Sequence, residues 1–174
     1  SFADYLESYL HSHPEIAPGQ ITLEVLESTA LEDTQRASNV LAHCQSLGLQ
    51  VALDDFGTGF SSLTYLRTLP VDIIKIDQSF VRNMLEDASD HAIVESVIFL
   101  AQRFAHPVLA EGVETMEHAR ALRRMGCNFV QGYGIARPMP SGEVLDWTRH
   151  WRAQAESGKS GDMLNPVVAR GEGR

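Results

Sequence analysis

Segments typical of β-strands and α-helices alternate along the chain and are joined by short connections. Short apolar runs predict five strands, at residues 21–27, 50–55, 71–77, 107–112 and 129–134. Apolar residues at helical spacing predict six helices, at residues 2–12, 31–47, 61–69, 90–105, 116–125 and 142–154. Because connections this short suit only βα units, we expect an α/β fold with a mostly parallel sheet and helices outside it.

Five strands leave two α/β architectures open. A closed (β/α)₈ barrel usually needs about 250 residues, and this chain has 174. The sheet is therefore either open and doubly wound or a barrel that lacks some strands. Its first strand carries two acids, Glu24 and Glu27, that we expect on the buried side. Residues 157–174 are small and polar with no core to join, so we expect one domain over residues 1–156 and then a tail.

Charge, cysteine content and hydropathy exclude several classes of protein. The net charge of −9 argues against binding to nucleic acid, which normally needs a basic face. Bound cations can still let an acidic protein hold a small phosphorylated ligand. No apolar run approaches the roughly 18 residues that span a bilayer, so we expect no membrane segment, and no signal peptide opens the chain. Cys44 and Cys127 lack metal-type spacing, so we expect reduced thiols in a cytoplasmic protein.

Ionisable or amide side chains stand at the end of every predicted strand. They are Glu24, the adjacent Asp54 and Asp55, Lys75, Glu111 and Gln131. Parallel strands place their carboxyl ends on one side of a sheet, so we expect these groups to converge there. Each alone would more simply meet solvent, and an isolated Asp-Asp pair is as readily a solvated turn. Five such strand ends together favour a functional site.

The ligand atoms of this set indicate which cation it would take. Carboxylate and amide oxygens suit Mg²⁺ or Mn²⁺. Zinc is disfavoured, because no His or Cys recurs at ligand spacing. With Lys75 among them, the carboxylates favour phosphoester hydrolysis assisted by two metal ions.

Two neighbouring features would support the site. The loop after Asp55 has glycines at positions 57 and 59, which permit positive φ and close approach of a ligand. Ser61 or Ser62 could then cap the next helix. Strand alternation puts Asp77 on the same face as Lys75, so we expect Asp77 to support that lysine or the loop.

Five motifs together resemble the EAL-domain phosphodiesterases, which act on cyclic di-GMP. They occur in the family's order at residues 23–28 (LEVLES), 54–62 (DDFGTGFSS), 74–77 (IKID), 110–115 (AEGVET) and 131–133 (QGY). The match extends over about residues 2–152. It implies a (β/α)₈ barrel, incomplete here with about five of its parallel strands, that hydrolyses cyclic di-GMP to linear pGpG with two Mg²⁺ or Mn²⁺ ions.

The resemblance also implies a role for each matched residue. The metal ligands would be Glu24, Asp54, Asp55 and Glu111. The catalytic residues would be Asp54, Glu111 and Lys75, with Lys75 orienting the attacking water. Gln131 would line the substrate site, and Glu114 would either line its guanine side or cap helix 116–125, of which we favour the cap. Loop support would come from Glu27, Gly57, Thr58 and Gly59.

The resemblance leaves two hypotheses open. The family's Glu-Ala-Leu strand and the next strand, which carries an asparagine ligand, have no counterpart here. We therefore expect a partial phosphodiesterase domain whose own activity is impaired. The alternative is a non-catalytic cyclic di-GMP receptor or a dimerisation module. Sensory or GGDEF domains are expected upstream, and the open barrel would be covered by a second copy exchanging an element or by residues 2–12 and 163–168.

Overall fold

A computed structural model describes residues 2–28, 33–58 and 63–156 of the chain. Its strands are β1 (Thr22–Leu26), β2 (Gln50–Phe56), β3 (Ile73–Ile76), β4 (Val108–Ala110) and β5 (Phe129–Val130). Its helices are α1 (Phe2–Ser12), α2 (Thr34–Ser46), α3 (Leu63–Thr68), α4 (Gln78–Asn83), α5 (Ala88–Arg103), α6 (Met116–Met125) and α7 (Ser141–Glu156). A short 3₁₀ turn, Pro18–Gln20, precedes β1.

The five strands form one parallel sheet in the order β1-β2-β3-β4-β5. Right-handed connections between sequentially ordered parallel strands put the connecting helices on one face. A doubly wound sheet instead reverses its strand order, which lets helices cover both faces. The sequential order therefore decides between the two architectures in favour of a barrel wall.

The buried core lies between the sheet and the helices packed on it. Leu53 of β2 and Ile74 and Ile76 of β3 are fully buried, and Val94 and Ile98 of α5 cover them. The pattern in β1 differs, since Thr22, Glu24 and Leu26 are exposed while the residues between them are half-buried. β1 is therefore a partly uncovered edge, because β2 pairs with it on one side only among the described strands.

The predicted elements are confirmed in kind and order, and every strand except β2, which is one residue longer, is shorter than expected. The pattern missed α4, a six-residue helix too short to show an apolar period, which begins where Asp77 accepts a hydrogen bond from the amide of Ser79. The expectation of two buried acids in the first strand is wrong for Glu24, whose side chain is half exposed. Glu27 is buried but lies just beyond the strand. No helix in the described residues is long and apolar enough to cross a membrane.

Candidate metal and active site

A β-bulge brings the adjacent carboxylates Asp54 and Asp55 together. Neighbouring residues of a regular strand point to opposite faces. The pairing of β2 with β3 shifts between Leu53 and Phe56, so that both aspartates stand opposite the single residue Lys75. Asp55 is left-handed, with φ 55°, and its amide donates to Asp54 Oδ1 at 3.1 Å. The bulge therefore brings the carboxylates of Asp54 and Asp55 close together, although consecutive residues of a regular strand point to opposite faces.

Lys75 is the centre of the carboxylate cluster. Its side chain is 5% exposed, and its Nζ lies 2.9 Å from Glu24 Oε1, 2.9 Å from Asp54 Oδ1 and 2.9 Å from Glu111 Oε1. An ammonium has three donors, so these contacts use all of them. Burial alone would lower the pKa of Lys75, but hydrogen bonds to Glu111, Glu24 and Asp54 outweigh it and raise the pKa. Lys75 is therefore a cation at neutral pH, and it joins carboxylates of β1, of β2 and of the residue after β4.

Three carboxylates are close enough to share a metal ion. Asp54, Asp55 and Glu111 each offer an oxygen, and these oxygens all lie within 4.8 Å of one another. Burial, followed by the negative charges of Asp54 and Asp77, raises the pKa of Asp55. The single ammonium thus leaves uncompensated negative charge, and hard oxygen ligands of this kind suit a divalent cation. Glu24 touches the same ammonium but does not belong to this group of three.

Asp77 faces Asp55 and caps the start of α4. Burial would raise the pKa of Asp77, but donation from the hydroxyl and amide of Ser79 outweighs it and lowers the pKa. Asp77 also acts on the Asp55 carboxyl, whose pKa its negative charge helps to raise. The structure therefore places Asp77 beside a carboxyl of the cluster, where the sequence analysis expected Lys75 or the loop.

The loop after Asp55 is anchored from two directions in its described part. Glu27 is 3% exposed, and its Oε2 accepts a hydrogen bond from the amide of Gly57 at 3.4 Å. The Thr58 hydroxyl donates to the backbone oxygen of Asp55 at 2.9 Å. Gly57 has φ 103°, which favours glycine. Gly59, Ser61 and Ser62 lie outside the described residues.

The backbone fixes Glu111 at the end of β4. The Glu111 amide donates to Ile76 O at 3.1 Å. Gly112 has φ 69°, and a Cβ there would lie 2.5 Å from the Cβ of Gln78, so only glycine lets this loop pack against α4. The cap expected from Glu114 is wrong, because Thr115 accepts the capping hydrogen bond from His118 N. Glu114 instead pairs with Arg82 at 3.1 Å.

Gln131, like Glu114, is a predicted site residue that the structure leaves apart from the cluster. Its side chain is exposed and lines a cavity of about 410 Å³ together with Tyr133, Arg137 and Trp147. The lining of that cavity includes neither Lys75 nor the three grouped carboxylates.

Two features of the site were not predicted from the sequence, the bulge at Asp55 and the contacts of Arg82. The bulge had a signal, since two adjacent aspartates in one strand can serve one site only if the strand is irregular, whereas nothing in the pattern pointed to Arg82.

Comparison with protein families and curated proteins gives consistent matches. The EAL domain family matches residues 1–138. The bifunctional diguanylate cyclase/cyclic di-GMP phosphodiesterase MucR of Pseudomonas aeruginosa is 40% identical over 130 residues, which are 75% of this chain and 19% of MucR. The cyclic di-GMP phosphodiesterase PA2567 of the same organism is 41% identical over 129 residues, 74% of this chain and 22% of that protein. The chain therefore spans about a fifth of the length of these relatives.

Solved structures match the fold as well. The P. aeruginosa MucR phosphodiesterase in complex with c-di-GMP superposes with a TM-score of 0.76 at 38% identity, over 81% of this chain and 57% of that one. The EAL enzyme Bd1971, with cAMP and cyclic-di-GMP bound, gives a TM-score of 0.77 at 39% identity, over 83% of this chain and 38% of the other. The five-stranded sheet is therefore a segment of the same TIM-barrel-like α/β fold.

Proposed function

The chain belongs to the EAL domain family, and from this membership we propose that it is part of a cyclic di-GMP phosphodiesterase that hydrolyses its substrate to linear pGpG with divalent cations. Named relatives with this activity and a solved relative holding c-di-GMP support the proposal. The observation that carries it is the cluster of Lys75 with carboxylates from the ends of three strands.

The carboxylates of the cluster are proposed to hold the cations. Asp54, Asp55 and Glu111 fit a divalent ion because their oxygens converge and their negative charge exceeds that of the one ammonium. Glu24 of β1 is proposed as a further ligand, since its carboxylate contacts the same Lys75 ammonium. We favour Mg²⁺ or Mn²⁺, since the donor set is all oxygen. When bound, such cations neutralise a phosphodiester and lower the pKa of water.

The remaining residues are proposed to bind and orient the substrate. The raised pKa of Lys75 keeps it charged, so its ammonium can stabilise the negative charge that develops on the phosphodiester. Its three donors are used by the carboxylates in the cation-free structure, and a cation that takes over one of those carboxylate oxygens would free a donor to orient the attacking water, the role that we propose for Lys75. Gln131 and Glu114 are proposed to contact the nucleotide, and Glu27 to hold the loop at Gly57.

Hydrolysis of cyclic di-GMP tests the proposal directly. This chain and a version extended upstream in its own coding sequence are incubated with cyclic di-GMP and Mg²⁺ or Mn²⁺, and the linear product is separated by chromatography. We expect turnover in the extended chain. Asp54→Asn should lower it by more than about 100-fold, because even the partners of metal ligands cost about 10–100-fold. The matched control is Asp146→Asn, whose carboxylate is 81% exposed on α7.

The same assay separates the alternative hypothesis. Binding of cyclic di-GMP by the extended chain without turnover would support a receptor. Neither binding nor turnover would support a module for dimerisation. Glu27→Ala should cost less activity than Asp54→Asn, because Glu27 acts on the loop backbone at Gly57 and not on the cluster itself.

A further inference from the structure

Arg82 of α4 is held at two points by the segment that follows β4. Its Nε donates to Glu114 Oε1 at 3.1 Å. Its backbone oxygen lies 3.1 Å from His118 Nε2. Because a carbonyl oxygen can only accept, Nε2 carries the hydrogen of this bond. Side chain and main chain of one residue thus join α4 to both the loop 111–115 and α6.

His118 is fixed at its second ring nitrogen as well. It is 7% exposed, and its Nδ1 lies 2.8 Å from Thr115 Oγ1. The same hydroxyl oxygen accepts the backbone N–H of His118 at 3.4 Å. The imidazole therefore links the first turn of α6 to Arg82, and its orientation is fixed at both ring nitrogens.

These contacts join the segments that follow β3, which holds Lys75, and β4, which directly precedes Glu111. The two segments are α4 and the loop 111–115. Lys75 and Glu111 meet at 2.9 Å. The close packing of Gly112 on Gln78 adds a third contact between α4 and the loop. The distance between α4 and the loop 111–115 therefore affects where the Glu111 carboxylate lies relative to Lys75.

We propose that Arg82 and His118 are positioning residues that clasp α4 to the loop 111–115 and hold Glu111 beside Asp54 and Asp55. The link to cation binding rests on the proposed function, whereas the clasp itself does not. Neither residue touches the carboxylate group of three. Each acts through the backbone that presents Glu111.

Two readouts on the 174-residue chain test the clasp. Calorimetric titration with Mn²⁺ measures the cation affinity. Hydrogen exchange measured by NMR reports the amides of Glu111 and Val113, which donate to Ile76 O and Gln131 O. The reference amide is Ile74, bonded to Pro107 O in the sheet. Arg82→Gln and His118→Leu remove the contacts, and Arg82→Lys and His118→Gln are the conservative variants. Arg149→Gln is the control, since Arg149 also pairs with a carboxylate, that of Asp146 at 2.9 Å, but on α7.

Arg82→Gln and His118→Leu should each weaken Mn²⁺ binding by about two- to fivefold, the range set by an exposed ion pair. Exchange at Glu111 and Val113 should accelerate by a similar factor while exchange at Ile74 stays unchanged. His118→Gln should keep most of the Mn²⁺ affinity and most of the exchange protection of the unmodified chain, because the glutamine amide can still donate to Arg82 O. Equal acceleration at Ile74, or none at the loop, would overturn the clasp. If the unmodified chain binds no Mn²⁺, the cation site fails and the exchange data alone decide on the clasp.

Discussion

Asp55 combines three unfavourable features at one residue. It is left-handed at φ 55°, it is partly buried, and it faces the negative charges of Asp54 and Asp77. Non-glycine residues in the left-handed region cost about 1–2 kcal/mol. Strain of this kind persists where the surrounding structure imposes it, and it concentrates at functional sites. Without a cation the cluster is therefore a source of instability in the fold.

We predict that Asp55→Asn stabilises the cation-free chain by about 1 kcal/mol at neutral pH, the size of one partly exposed charge interaction. Asparagine tolerates the left-handed backbone but carries no charge. The pKa of Asp55 is raised above 3.8 in the folded state. The fold is therefore more stable with Asp55 protonated than with Asp55 ionised. The contribution of Asp55 to the free energy of unfolding is then greatest below that value and is lost as the pH rises through the folded pKa.

Urea unfolding at several pH values checks this prediction. The gap between the variant and the unmodified chain should open as the pH rises, and millimolar Mn²⁺ should close it by stabilising only the unmodified chain. Asp146→Asn on α7 should show neither effect. A variant less stable than the unmodified chain at every pH, with or without Mn²⁺, would contradict the account of Asp55.

At the scale of elements, two helices end in the same motif with different residues. After α5, the His106 amide donates to Ala101 O at 2.9 Å and the Ala105 amide to Gln102 O at 3.1 Å. After α6, the Cys127 amide donates to Leu122 O at 3.0 Å. Both are Schellman-type ends, which favour glycine at the left-handed position. Gly126 has φ 89° there, but Ala105 holds φ 59° against its preference.

We predict that Ala105→Gly raises the free energy of unfolding by about 0.5–1 kcal/mol. Relief of left-handed strain is worth about 1–2 kcal/mol, and glycine's greater freedom in the unfolded chain offsets about 0.4–1 kcal/mol of it. The reciprocal change Gly126→Ala should destabilise, since position 126 is left-handed with φ 89° and a Cβ there would also displace the Gln102 amide that donates to Gly126 O. Thermal unfolding of both variants measures the two changes in the free energy of unfolding, and the prediction requires that they have opposite signs.

The same elements show how far sequence reasoning reaches. Helix 116–125 is predicted to the residue and closes at Gly126 as expected, but its N-cap is Thr115 and not Glu114. The convergence of Asp54, Lys75 and Glu111 follows from parallel strands alone. The clasp at Arg82 does not, since it depends on contacts between α4, the loop 111–115 and α6 that local patterns do not encode. The bulge at Asp55 has a signal in the sequence only in the two adjacent aspartates. The last strand is predicted too long: β5 ends at Val130, so Gln131 lies just beyond it, where its exposed side chain lines the cavity with Trp147 of α7.

At the scale of the whole molecule, the β1 edge of the sheet is exposed in the described structure. β1 pairs with β2 alone, and Leu26 at its end is 46% exposed. α1, which packs on α2, exposes Phe2 and Tyr5 by 57% and 65%. An uncovered strand edge beside apolar side chains is a template for pairing with another chain.

We therefore predict that the isolated chain self-associates through the β1 edge and that Leu26→Lys weakens the association. A lysine on an edge strand places a charge that must be desolvated in any paired assembly. Light scattering over a concentration series should show a mass that rises for the unmodified chain and remains closer to that of a monomer for Leu26→Lys. The matched control is Leu85→Lys, since Leu85 is 38% exposed but lies between α4 and α5. A monomer at every concentration would contradict the prediction. Equal weakening by both lysines would show that net charge, and not the strand edge, controls the association.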